Sequence, residues 1–117
     1  MALLQILPKI FYADIHIGLH FFVNGLGFEL VYNDEVLYIV KRDEITFLLV
    51  LNAECAEGDR PEIRIKTDDI DKIYKEIRDR NAKLLHPNLH YIKQQPWGLR
   101  EFAVLDPTTV CIVFQQE

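Results

Sequence analysis

Several features that would remove this chain from the ordinary globular class are scarce or missing. There are only two cysteines, Cys55 in a polar Glu-Cys-Ala-Glu-Gly-Asp loop and Cys111 in an apolar strand. A loop residue and a core residue rarely meet with disulfide geometry, so no staple is expected. No apolar run approaches the roughly 18 residues of a membrane span. Met1 to Leu7 is apolar but carries neither a basic leader nor a small-residue cleavage site, so the expectation is a cytoplasmic protein. Basic residues are outnumbered, 13 lysines and arginines against 18 acidic residues for a net charge of -5. Without a clustered basic patch, nucleic acid is not an expected partner. No phosphate-binding glycine loop, nucleophile elbow or zinc-finger spacing occurs. Tryptophan is limited to one residue, Trp97.

What is present suits a folded domain. A hydrophobic fraction of 50% and a charged fraction of 26% are ordinary for a soluble globule. The 117 residues fit one domain, which at this size buries roughly two thirds of its unfolded surface. No cofactor or disulfide is needed to explain folding.

Along the chain, Leu3 to Ala13 is extended and apolar, interrupted by Pro8 at a position suited to an edge, a kink or an end. Asp14 can cap a helix in which Ile15, Leu19, Phe22 and Val23 recur at helical spacing until Gly25 and Gly27 stop it. Strands follow over Phe28–Tyr32, Val36–Lys41 and Ile45–Leu51. Residues 52–61 form a polar, breaker-rich linker. Glu62 to Thr67 alternates as a half-exposed strand, and Asp68 or Asp69 caps a helix reaching about Arg80, with Ile70, Ile73, Tyr74 and Ile77 on one face. Asp71 with Lys75 and Lys72 with Glu76 are spaced for surface pairs. Strands are expected at Lys83–Leu85, between Leu89 and Lys93, at Leu99–Leu105 and at Val110–Gln115, with Asp106-Pro107 turning the last two.

The halves repeat at an offset of 55, where Asp14-Ile15 matches Asp69-Ile70, Phe22 matches Ile77 and Leu30 matches Leu85. Two copies of strand-helix-strand-strand-strand suggest duplication of a small module. The expected fold class is α+β, two βαβββ modules in tandem (residues 1–52 and 62–117, with 53–61 between them) forming curved mixed sheets around a cleft.

This repeat, together with Asp14…Gly25-Leu26-Gly27-Phe28-Glu29-Leu30, Thr67-Asp68-Asp69-Ile70 and Arg100-Glu101-Phe102…Asp106-Pro107, resembles the vicinal-oxygen-chelate superfamily of glyoxalases, extradiol dioxygenases, fosfomycin-resistance enzymes and bleomycin-resistance proteins. The resemblance covers the whole chain. Enzymes of that superfamily hold a divalent metal with His and Glu side chains. The matching positions here are Leu7, Leu48, Glu62 and Val113, one oxygen donor among four, whereas a metal site needs three or more donors. No metal or other cofactor is therefore expected. Glu62 is either a lone carboxylate in the cleft or an edge-strand surface residue.

The resemblance is nearest to the bleomycin-resistance branch, which sequesters a drug without altering it and so confers antibiotic resistance. Pro8 resembles the proline that ends a swapped N-terminal arm in those dimers, its other reading being a kink at an edge strand. Trp97-Gly98 resembles the Trp-Gly of their ligand groove, where a ring can stack on a flat ligand; otherwise Trp97 is a packing residue. The implied site comprises Trp97, Phe47, Tyr38, Phe11 and Phe102 with Tyr32 and Tyr91, and the carboxylates Glu62 and Glu101. Such a set suits a planar, cationic or amphipathic small molecule. The implied function is capture in a groove at a homodimer interface. The alternative is a metal-dependent lyase or oxidoreductase of glyoxalase or dioxygenase type with a displaced metal site. A third possibility is a non-catalytic module that recruits another protein. His16 and His20, four apart on the first helix, lack a third ligand. His86 and His90 lie in the loop before Trp97, and Cys111 has no histidine placed to activate it.

Overall fold

Asp14 and Asp69, equivalent in the repeat, each start a helix by accepting a backbone N–H with the side chain: His16 N to Asp14 Oδ1 at 3.0 Å and Lys72 N to Asp69 Oδ1 at 3.2 Å. In the computed structural model, which describes all 117 residues, these helices belong to two units, Met1–Asp59 and Arg60–Glu117. The division falls within the segment read as a linker. Part of that segment, Ala53–Ala56, is a helical turn capped by Asn52.

The first unit runs β1 (Lys9–Tyr12), α1 (Ile15–Leu19), β2 (Glu29–Asn33), β3 (Leu37–Arg42) and β4 (Ile45–Leu51), followed by the turn α2 (Ala53–Ala56). Its sheet has the order β1-β4-β3-β2, with β1 parallel to β4 and the other pairs antiparallel. The helix expected as one α-helix passes after Leu19 into π-helical turns over His20–Gly25, where Leu26 N donates to Phe21 O at 3.0 Å. This wider winding places the consecutive Phe21 and Phe22 both in the core. Gly18 is required by a close approach: a Cβ there would lie 2.6 Å from the ring of Tyr12, itself fully buried. Phe22 packs on Phe28 and Phe47 with centroids 5.5 and 4.9 Å apart.

The second unit runs β5 (Glu62–Lys66), α3 (Ile70–Asn81), β6 (Lys93–Gln94), β7 (Arg100–Leu105) and β8 (Cys111–Gln116). Its order β5-β8-β7-β6, with β5 parallel to β8, repeats the first unit. The α+β fold of tandem βαβββ modules is thus established. Ile70, Ile77, Phe102, Val104, Ile112 and Phe114 form the core under α3, with Tyr74 edge-on to Phe102.

Two expectations are corrected here. Lys83–Leu85 is not a strand: Ala82–Leu84 is a 3-10 turn, and only Leu85 bridges to Val104. The chain then leaves the sheet edge and returns as the two-residue β6, so the edge strand that is continuous in the first unit is interrupted in the second. The helix-surface pairs also re-form differently. Asp71 is held by Arg100 at 3.2 Å, and Glu76 lies 3.8 Å from Arg80. The rigid guanidinium fork suits a carboxylate better than a mobile ammonium.

Candidate functional site

Side chains alternate across a strand, and directly paired residues share a face. This rule sorts the expected site. Val40 pairs with Phe47 and Tyr38 with Leu49, which puts Phe47 and Tyr38 on the face that carries the helix core. Phe47 is 1% exposed and closed over by Phe22 and Phe28. Phe102, at 0%, is stacked on Phe114. Phe47 and Phe102 are therefore core residues and not ligand-facing ones, because strand parity turns them toward the helices. Phe11 differs. It pairs with Val50, on the opposite sheet face, which also holds the half-buried Leu37, Ile39 and Leu48.

In the second unit, Glu62, Arg64, Glu101, Val113 and Gln115 share the sheet face turned away from the core under α3, as the pairings Glu62 with Cys111, Arg64 with Val113, and Glu101 with Gln115 require. Trp97 joins them from the hairpin tip. Gln95 N donates to Leu99 O at 2.8 Å and Gly98 N to Gln95 O at 3.0 Å, closing the loop Pro96-Trp97-Gly98. Proline presets φ at the first loop position, and Gly98 takes a φ of +96°, the pattern of a three-residue hairpin loop. The indole is thereby displayed, 60% exposed, while its Nε1–H donates to Glu101 Oε2 at 3.1 Å.

Glu101 is 1% exposed. The same Oε2 accepts from Arg64 Nη1 at 2.9 Å and from Gln115 Nε2. Arg64 Nε reaches back to Glu62 Oε2 at 3.3 Å. The expected residues Trp97, Glu101 and Glu62 are thus gathered into one network. Arg64 and Gln115 were missed, although both left a trace in the sequence. Arg64 stands two residues after Glu62 and so on its face, and Gln115 is a polar residue following the apolar run Cys111 to Phe114. The arrangement offers an exposed aromatic ring beside the exposed Glu62–Arg64 pair, with the Glu101 carboxylate buried beneath, a surface suited to a planar ligand.

The four positions matching the superfamily's metal ligands are distributed as follows. Leu7 precedes β1 and is exposed, Leu48 lies on β4, Val113 is buried in β8, and Glu62 is engaged by Arg64. No group of three or more His, Cys, Asp or Glu side chains is placed to hold a metal ion. Burial pushes the Cys111 thiol above its ordinary value, and the nearby Glu62 carboxylate adds to the effect. Both cysteines are free. Tyr32 and Tyr91 are exposed, with Tyr32 Oη donating to Asp34 at 3.0 Å and Tyr91 edge-on to His90. No helix is long and apolar enough to cross a membrane.

No protein-family model matches the chain. In sequence it is 28% identical to the bleomycin resistance protein of Geobacillus stearothermophilus, over 98% of both chains. In structure it is similar to a bleomycin-binding protein solved in complex with bleomycin, with a TM-score of 0.81 and 20% identity over 97% of this chain and 98% of that one. It is also similar to the bleomycin-binding protein of bleomycin-producing Streptomyces verticillus in complex with copper(II)-bleomycin, with a TM-score of 0.79 and 24% identity over 100% and 98% of the two chains. Sequence likeness and tandem topology agree, and the chain has the fold of these bleomycin-binding proteins.

Proposed function

We propose that this chain is a metal-free small-molecule-binding protein that sequesters a bleomycin-like ligand in a groove at a homodimer interface. The observation that carries the reading is the exposed Trp97 indole, fixed beside Glu101 at a hairpin tip in a chain whose sequence relatives are bleomycin resistance proteins. Capture of this kind works by mass action: the protein must be abundant and bind tightly, and there is no turnover. Stacking on the indole would hold a flat heteroaromatic group, and the Glu62–Arg64–Glu101 network would favour cationic substituents over anionic ones. Phe11 lies on the face of the first sheet turned away from its helix core, and Tyr38 lies on the helix side.

The dimer reading draws support from the N-terminal arm. Met1, Leu3, Leu4, Ile6 and Leu7 are all exposed, an apolar set that a second subunit would cover. Pro8 is the natural hinge, since its carbonyl accepts from Leu48 N at 2.8 Å and is the last tie before the free arm.

The test is a titration of tryptophan fluorescence with metal-free and copper(II)-loaded bleomycin, Trp97 being the only reporter. Saturable quenching near one ligand per subunit supports sequestration. No change up to about 50 micromolar ligand, a concentration that would register even weak specific binding, overturns it.

A further inference from the structure

At 60% exposure, the Trp97 side chain is held only in part by packing. The indole has one polar handle, its Nε1–H, and that handle is engaged by a carboxylate almost wholly removed from water. We propose that Glu101 acts as the positioning residue of the indole platform, orienting Trp97 for ligand from beneath and not by touching ligand itself. This rests on the binding function proposed above and deepens it.

Three observations support the assignment. A buried carboxylate must be compensated, and Arg64 with Gln115 already supplies a charge partner and a neutral donor on Oε2. The third donor on that oxygen comes from the residue at the hairpin tip that exposes the most aromatic surface, an arrangement the core does not require. The backbone under the ring is also fixed, by the two hydrogen bonds that close the loop between Gln95 and Leu99 and by Pro96. The indole is therefore anchored at Cα and at its ring nitrogen, with most of its surface left exposed. Arg64, bound at once to Glu62 and Glu101, keeps the carboxylate in place. A ring already ordered before ligand arrives loses little rotational freedom on stacking, and this raises affinity without adding a contact.

The single tryptophan makes the proposal testable without ligand. In uniformly 15N-labelled protein the one indole N–H cross-peak should exchange slowly with solvent, and its fluorescence anisotropy decay should lack fast wobble. In Glu101→Met, which removes the acceptor and introduces no donor, exchange should accelerate by about tenfold or more with wobble restored. Unchanged exchange and wobble in a folded E101M would overturn the proposal. Because a buried substitution can compromise folding, a second variant leaves Glu101 intact. Trp97 is replaced by 3-benzothienylalanine, which keeps the bicyclic shape but lacks the N–H. Calorimetry with copper(II)-bleomycin should show affinity falling about fivefold from lost preorganisation, and equal affinity would overturn the positioning role. Should the unsubstituted protein bind no bleomycin, the ligand reading fails, while slow exchange lost in E101M still establishes the anchor.

Discussion

Trp97 and Thr109 show how much a single position depends on its neighbours. Trp97 stands between the proline and the positive-φ glycine of its loop, so its ring faces outward and burial contributes little to its role. Replacing it with alanine should leave the fold intact and weaken bleomycin binding by about 2 kcal/mol, roughly thirtyfold, measured by calorimetry because the fluorophore is lost. Thr109 has a φ of +73°, a region costly for a β-branched side chain. It is held there by Asp106, whose Oδ1 accepts from Thr108 N at 2.7 Å and Val110 N at 3.0 Å. Thr109→Gly should relieve that strain and raise stability by about 1 kcal/mol in denaturant unfolding, without altering ligand affinity. The two thiols should separate in a reagent titration, exposed Cys55 reacting fast and Cys111 slowly. Because the Cys111 value is raised in the folded state, its contribution to stability is complete below the ordinary thiol range and declines as pH rises through the folded value.

At the level of elements, α1 and the β6–β7 edge depart from simple expectation. Packing of Tyr12 on Gly18 ties β1 to α1 at a distance no side chain tolerates. Gly18→Ala should therefore destabilise the protein by about 1–2 kcal/mol in thermal or chemical unfolding, overpacking outweighing the better helix propensity of alanine. Any stabilisation would mean that Tyr12 can move aside. Offset matching aligned Asp14 with Asp69 and hence both helix starts. It could not align the edge strands, because the second module has additional chain between Leu85 and Lys93. That chain is tied to β7 by His86 N donating to Ala103 O and Ala103 N donating to Leu89 O, both at 2.9 Å, leaves the sheet after Leu89, and its return at Lys93 sets up the hairpin that displays Trp97.

For the whole molecule, assembly is the property on which the proposed groove depends. Removing Met1 to Leu7 should shift a dimer to monomer in sedimentation velocity at micromolar concentration and abolish bleomycin binding together with it. Retention of both after truncation would sink the arm-exchange reading while leaving the Trp97 site to be tested alone. Strong acid should weaken the β2–β3 turn. The carboxyl of Asp34 is held below the usual aspartate range by hydrogen bonds from Leu37 and Val36 and by the Tyr32 hydroxyl, so its support for the β2–β3 turn is present above the ordinary carboxylate value and lost as pH falls through its lowered value.

The duplicated α+β architecture, a capping aspartate at the start of each helix and the Pro96-Trp97-Gly98 turn were legible in the sequence, because each rests on local chemistry: capping, turn geometry and strand alternation. Strand parity could be counted, but which parity faces a helix could not. That is why Phe47 and Phe102 looked like candidates for a ligand wall and proved to be core. The convergence of Arg64 and Gln115 on one oxygen of Glu101 was decided by the tertiary structure alone. It needs β5, β7 and β8 in register, and register is a long-range property set when separate strands bury their apolar faces together.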